Sequence, residues 1–167
     1  MSIEDIEQAI KALKIGKIVS CPVIPIGIPG IGAGAEDAND TFGTLVELKV
    51  PKSGTITSAT YWDLDDEKTQ VDLLIFKHKI TQIADNALWQ PADAAMLHFV
   101  TQLDFVGYED HVDSATFELP NIGKGYSAPE GKFWVQAVCR GTPTIAAGSA
   151  PRFQFQIFPD DPDWQEN

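Results

Sequence analysis

The chain has 167 residues, of which 44% are hydrophobic and 22% charged, and its formal net charge is −12. This length and composition fit one globular domain of about 100 to 150 residues with additional segments at its ends. Because proteins bind nucleic acid non-specifically by releasing counterions through Lys and Arg, the acidic charge argues against a nucleic-acid partner.

The first predicted element is a short amphipathic helix near the N-terminus. Ser2 and Asp5 resemble a capping box, and Gly16 is a plausible end for the helix. Four apolar residues recur at coiled-coil spacing over two heptads, namely Ile3, Ile6, Ile10 and Leu13. A seam this short needs a surface to pack on, which is either the protein's own domain or a neighbouring subunit.

The second predicted element is an extended arm. Residues 18–35 are uncharged and mostly apolar, and they contain three prolines and four glycines, which disfavour any regular element. The exposed apolar side chains of such an arm need cover from its own body or from a partner. The predicted interface consists of the four apolar helix residues named above and five residues of this arm, namely Val23, Ile24, Ile26, Ile28 and Ile31.

The same uncharged run approaches the length of a membrane-spanning helix, and residues 33–35 resemble a signal-peptide cleavage site. Its prolines and glycines are unsuited to a spanning helix, and the acidic residues before it have the wrong sign for a signal peptide. We therefore expect neither a membrane partner nor a targeting segment.

Short alternating runs from residue 43 onwards predict β-strands. Residues 45–50 and the Thr-rich run ending at Trp62 predict a hairpin across the turn at 51–54. Residues 71–76 predict a buried strand. A fourth strand at 97–105 should place four apolar residues on one face, namely Leu97, Phe99, Leu103 and Phe105. Three further strands are predicted around residues 117–119, 133–139 and 153–157.

These runs, about eight strands without βαβ alternation, predict a mainly β fold. We expect an antiparallel β-sandwich that is jelly-roll-like, with a short N-terminal helix and an extended Pro/Gly-rich arm; an immunoglobulin-like sandwich is the alternative. Segment 83–95 should hold one helical turn. The predicted organisation is helix and docking arm at 1–42, sandwich body at 43–158 and an acidic, solvated tail at 159–167, with Trp164 as its candidate anchor.

The sequence contains none of the common enzyme motifs, and we expect no enzymatic activity and no cofactor. Cys21 and Cys139 are expected to be reduced thiols, with a disulfide between them as the alternative. His78 and His98 are expected to be solvated strand residues. One acidic group around a histidine is a candidate metal site, namely Asp104, Glu109, His111 and Asp113. A solvated acidic hairpin loop is the favoured interpretation of this group, so no metal is predicted. Residues 63–67 are likewise interpreted as a polar hairpin turn rather than a calcium loop.

Three tryptophans, at positions 62, 89 and 134, would suit a sugar-binding face. Their position in or near alternating strands instead favours the core of a sandwich, where large aromatic side chains usually lie. A carbohydrate-binding β-sandwich module is the alternative function that these residues leave open.

Several structural segments carry a resemblance to a known class of proteins, namely residues 59–65, 71–76, 83–87, 120–123 and 133–142. Through these segments, the chain from about residue 43 to 160 resembles capsid decoration or cement proteins of tailed bacteriophages. The resemblance implies a non-enzymatic β-sandwich that stabilises the shell from the virion exterior after assembly in the host cytoplasm. It also implies two kinds of partner, the major capsid protein and further copies of the chain in a homotrimer. On the same resemblance, the alternative carbohydrate-binding module would belong to a phage tail or fibre.

Overall fold

A computed structural model of the protein describes residues 18–20, 24–25, 37–146, 149–161 and 163–164. The described residues form eleven strands and one short helix. In chain order the elements are β1 (Val19–Ser20), β2 (Ile24–Pro25), β3 (Thr41–Lys49), β4 (Ser53–Asp63), β5 (Val71–Phe76), α1 (Asp93–Met96), β6 (Phe99–Phe105), β7 (Glu109–Asp110), β8 (Ala115–Leu119), β9 (Lys124–Ser127), β10 (Lys132–Cys139) and β11 (Arg152–Pro159).

The strands form two antiparallel sheets, which confirms the predicted sandwich. The four-stranded sheet has the order β3-β10-β5-β6. The seven-stranded sheet has the order β1-β11-β4-β8-β7, with β2 also on β11 and β9 also on β4. Within the described part of the chain, eight strands are longer than two residues; seven of them correspond to the predicted segments, and β9 was not predicted.

The predicted hairpin between residues 45–50 and the run ending at Trp62 is wrong. β3 belongs to the four-stranded sheet, whereas β4 pairs with β11, β8 and β9 in the other sheet. The connection turns through the core, because Val50 is almost completely buried and Pro51 is buried beside it. Since proline has no N–H to continue a ladder, the chain leaves one sheet here and enters the other.

The main core lies between the two sheets. Tyr61 on β4 joins them, because its ring centroid lies 5.1 Å from that of Phe117 on β8 and 5.7 Å from that of Phe105 on β6. The largest fully buried side chains of this core come from both sheets and include Leu48, Ile56, Leu73, Ile75, Phe133, Phe153, Phe155 and Ile157. Burying one such side chain contributes about 1.5 to 3 kcal/mol.

A second apolar layer covers the outer face of the four-stranded sheet. Segment 77–98, which contains α1, contributes the buried Ile80 and packs over four buried residues of the sheet, namely Leu74, Phe76, Trp134 and Val138. Trp89 in this segment packs on Phe76, with ring centroids 6.3 Å apart. Apolar cover on both faces explains why every residue of β5 is buried, as its mostly apolar sequence predicted. The helical turn predicted at 83–95 corresponds to α1.

The predicted alternation over residues 97–105 is wrong at its first two apolar positions. A register shift between Ile75 and Phe76 marks a β-bulge, after which Phe99 lies opposite Phe76 and joins the second layer rather than the main core. Leu97 lies before the strand and is 78% exposed. Leu103 and Phe105 face the main core as predicted.

Two pieces of the predicted arm extend the seven-stranded sheet. Val19 lies opposite Ile157, and Ile24 lies opposite Phe153, both on β11. The other predicted interface residues lie outside the described part of the chain, namely Ile3, Ile6, Ile10, Leu13, Val23, Ile26, Ile28 and Ile31. None of the described helical residues forms a helix long and apolar enough to cross a membrane.

Candidate functional site

Trp62 is a large aromatic residue on the outward face of β4. Its two neighbours in the strand, Tyr61 and Asp63, are buried and point towards the core. Because side chains alternate between the faces of a strand, Trp62 points outwards, and its side chain is only partly buried. The indole is therefore accessible from solvent on the face of the sheet that no second layer covers in the described part of the chain.

Polar side chains flank Trp62 on both adjacent strands. Arg152 on β11 and Thr116 on β8 lie directly opposite it, and Glu109 on β7 lies opposite Thr116. Directly opposite residues in an antiparallel pair have Cβ atoms about 4.5 to 5.5 Å apart. The indole consequently has a guanidinium on one side and a hydroxyl and a carboxylate on the other.

A second polar row crosses the same face two residues along β4. Gln154 lies opposite Thr60 on one side and Glu118 lies opposite it on the other. We call these two rows the Trp62 face, which consists of Thr60, Trp62, Glu109, Thr116, Glu118, Arg152 and Gln154. It combines one flat aromatic surface with hydrogen-bond donors and acceptors of both charge signs.

A shallow cavity of about 330 Å³ adjoins the Trp62 face. It is lined by Gly107, Tyr108, Glu109, Thr116 and Glu118. At its edge, the Nε2 atom of the exposed His111 lies 3.1 Å from the hydroxyl oxygen of Thr116. The Trp62 face therefore continues into a concave surface that can surround the edge of a ligand.

The four residues of the candidate metal site do not come together. Glu109 and His111 belong to the Trp62 side of the seven-stranded sheet, whereas Asp104 lies on β6, where it accepts a 2.6 Å hydrogen bond from Gln102. The favoured interpretation is confirmed, because β7 and β8 form a hairpin whose turn contains Asp113. Across the described ranges, no group of three or more His, Cys, Asp or Glu residues is arranged to hold a metal ion.

The hairpin predicted around residues 63–67 is wrong, because β4 and β5 belong to different sheets, but the segment does form a polar turn that Asp63 organises. This fully buried carboxylate accepts hydrogen bonds from the backbone N–H groups of Asp65 at 3.0 Å and Lys68 at 2.7 Å. Burial, with a smaller contribution from the Asp63 charge, raises the pKa of the adjacent Tyr61 phenol well above its usual range. The ammonium of Lys68 lies 2.8 Å from the carboxylate of Asp110 on β7 and lowers the pKa of that carboxyl. The acidic turn therefore binds the hairpin beside it.

A second buried carboxylate escaped the sequence-based prediction. Asp72 on β5 accepts hydrogen bonds from the Nε of Arg140 at 2.6 Å and from the amide of Gln102 at 2.8 Å. Desolvation raises the pKa of Asp72, and the charge of Arg140 opposes this effect. The available signal was an acidic residue inside the apolar run 71–76, but its partner lies much later in the chain.

The structure describes one of the two predicted thiols, and both His78 and His98. Cys139 is buried, and its thiol donates to the carbonyl of Gly141 at 3.2 Å, whereas Cys21 lies outside the described residues. His78 was predicted to be solvated, but its Nδ1 atom lies 2.5 Å from a carboxylate oxygen of Glu130. Its ring also meets that of His98 edge to face, with centroids 4.8 Å apart.

The prediction that the three tryptophans lie in the core of the sandwich is wrong. Trp134 is buried in the second apolar layer, Trp89 is partly buried against that layer, and Trp62 faces outwards. Trp164, the candidate anchor of the acidic tail, is partly buried and lines a cavity of about 500 Å³ with Asp161 and other residues. Side-chain alternation predicts that Trp62 and Tyr61 lie on different faces of the strand, but it does not predict which of the two faces the core.

No protein-family model matches the chain, and no curated protein matches its sequence. Among solved structures, the chain is similar to that of TmCBM61 in complex with β-1,4-galactotriose. The two share 10% sequence identity, the alignment covers 85% of this chain and 83% of that one, and the TM-score is 0.26. The sandwich architecture described above rests on the strand pairing of this chain itself.

Proposed function

We propose that this protein is a non-enzymatic capsid decoration protein that binds the major capsid protein and stabilises the shell from the virion exterior. In this proposal it acts as a homotrimer, and its N-terminal segment makes the contacts between subunits. The observation that carries the proposal is the pairing of two pieces of the apolar N-terminal segment with β11. The resemblance of residues 43–160 to phage cement proteins supports the same role.

Pairing with β11 holds two short pieces of the N-terminal segment in place. An uncovered strand edge presents unpaired N–H and C=O groups and is a template for further chain. β1 and β2 use this template through Val19–Ser20 and Ile24–Pro25. Residues 26–36 then connect Pro25 to Asp37 and include Ile26, Ile28 and Ile31. In the proposal, these isoleucines bury their side chains against a neighbouring subunit or the shell.

Capsid binding is tested with a triple variant, I26D/I28D/I31D. Placing three carboxylates in an apolar contact removes the burial of three side chains, each worth about 1.5 to 3 kcal/mol, so binding should fall by more than about tenfold. The measurement is co-sedimentation of the purified protein with heads assembled from the major capsid protein encoded in the same genome.

The matched control is L97D, which makes the same type of change at an exposed leucine of the body. This variant should co-sediment as the unaltered protein does. Failure of the unaltered protein to co-sediment would contradict capsid decoration, and equal binding by the triple variant would contradict the role of the N-terminal segment.

The oligomeric state is tested separately by size-exclusion chromatography with light scattering, on the full chain and on a chain that starts at Thr41. The full chain should have the mass of a trimer and the shortened chain that of a monomer. A trimer in both cases would place the subunit contacts on the sandwich body instead.

A further inference from the structure

We propose that the Trp62 face binds uncharged glycans. This inference does not depend on capsid decoration, because it rests on side chains of the sandwich body. Its starting observation is the outward, partly exposed indole of Trp62, held in the middle of a row that runs from Arg152 through Thr116 to Glu109.

The chemistry of the row matches the two sides of a sugar ring. A pyranose presents a patch of C–H groups on one face, and an exposed indole offers the flat apolar surface on which such a patch packs. Around its edge a sugar presents hydroxyl groups that both donate and accept hydrogen bonds. Arg152 and Gln154 supply donors on one side of Trp62, and Glu118 supplies acceptors on the other.

The cavity beside the row extends this surface beyond one sugar unit. It is lined by Thr116 and Glu118 of the Trp62 face, together with Gly107, Tyr108 and Glu109. Ligand sites are typically concave surfaces with aromatic walls and a few converging polar groups. We therefore expect a chain of at least two sugars, with one ring on Trp62 and the next in the cavity.

Charge selects an uncharged ligand. Two of the polar side chains around the cavity are the exposed carboxylates Glu109 and Glu118, and the whole chain carries a net charge of −12. Both the local carboxylates and the negative net charge of the chain repel acidic polysaccharides. The hydroxyl groups of a neutral sugar instead donate hydrogen bonds to the same carboxylates. The expected ligands are neutral hexose polymers rather than uronate-containing or sulfated ones.

The test is affinity gel electrophoresis of the full chain in gels that contain dextran, mannan, galactan or the acidic polymer polygalacturonate, together with a glycan array. At least one neutral glycan should retard the protein, and W62A should weaken that binding by about tenfold or more. The matched control is W164A, which removes a partly buried tryptophan outside the Trp62 face and should leave binding unchanged.

A second variant, E118Q, keeps the shape of the face while removing one charged acceptor, and it should weaken neutral-glycan binding severalfold. Circular dichroism and thermal unfolding verify that each variant is folded. Binding to none of the neutral glycans, binding to polygalacturonate alone, or equal weakening by W62A and W164A would overturn the inference. It would also be overturned if W62A abolished co-sedimentation with heads while no glycan bound, since the occupant of the face would then be the shell.

Discussion

Asp72 shows how one residue of the four-stranded sheet depends on a distant partner. Its carboxylate is only 5% exposed and lies in a strand whose neighbours in sequence are apolar. Its hydrogen bonds come from Gln102 on β6 and from Arg140, which directly follows β10. Because an ionised carboxylate that loses its partner in a buried position is costly, Arg140 matters more than an ordinary surface arginine.

We expect R140M to lower the free energy of unfolding by about 2 kcal/mol at neutral pH, because it leaves a buried charge without its cation while keeping the aliphatic stem. The pKa of Asp72 is already raised, so its ionisation favours the unfolded chain, and stability falls as the pH rises from the unfolded pKa through the folded one. Removing Arg140 raises that pKa further. The loss should therefore be smaller near pH 4 than near pH 7, as measured by urea unfolding at both values.

The matched background is D72N, in which the carboxylate is replaced by a neutral amide of similar shape. In this background R140M should cost much less, because the amide carries no charge to be left unpaired. An equal cost in both backgrounds, or a cost that does not change with pH, would assign the role of Arg140 to its bond with Asn39 instead.

At the scale of elements, local sequence patterns correctly predicted the strands whose burial follows from their own residues. The mostly apolar run of β5 indicated a buried strand, and the main core and the second apolar layer cover its two faces. The alternation of Leu103 and Phe105 likewise identified the inward face of β6. These features depend on side-chain periodicity, which is a property of the segment itself.

Features that depend on pairing between distant segments could not be predicted in this way. The bulge opposite Phe76 moved Phe99 to the other face, and no residue within 97–105 marks it. The Trp62 face is also non-local, because Trp62, Thr116 and Arg152 become neighbours only through the order of β8, β4 and β11. A one-residue change of register would separate them, so the sequence supplied the candidates but not their arrangement.

The pairing of β1 with β11 can be tested by a disulfide. Ser20 and Gln156 lie directly opposite each other, at a distance that suits a disulfide between cysteines. In a C21S background, S20C/Q156C should form this bond within one chain and run as a monomer on non-reducing SDS gels. Because the bond closes a long loop, it should stabilise the protein by about 2 to 4 kcal/mol.

A matched control is S20C/Q154C, since Gln154 lies on the same strand and faces the same way as Gln156 but is not opposite Ser20. This pair should form little disulfide within the chain. Covalent dimers or trimers of S20C/Q156C would instead mean that β1 lies on the β11 edge of a neighbouring copy.

At the scale of the whole molecule, the charge sets a condition on assembly. Each copy carries a net charge of −12, and the proposed trimer brings three copies into contact. A domain of this length has a radius of gyration of about 15 Å. Charges on different copies therefore act on each other whenever the screening length exceeds this scale. The apolar contacts of the N-terminal segment must outweigh that repulsion.

We therefore expect the trimer to become more stable as salt is added. Raising the ionic strength from about 0.01 M to about 0.15 M shortens the screening length from about 30 Å to about 8 Å, which removes most of the repulsion between copies while leaving apolar burial intact. Sedimentation velocity over a dilution series should show the trimer persisting to lower protein concentration at the higher ionic strength. Sodium chloride and choline chloride should give the same curve, because screening depends on ionic strength and not on the cation. A trimer that dissociates as salt is added would mean that ion pairs, rather than the apolar N-terminal segment, hold the copies together.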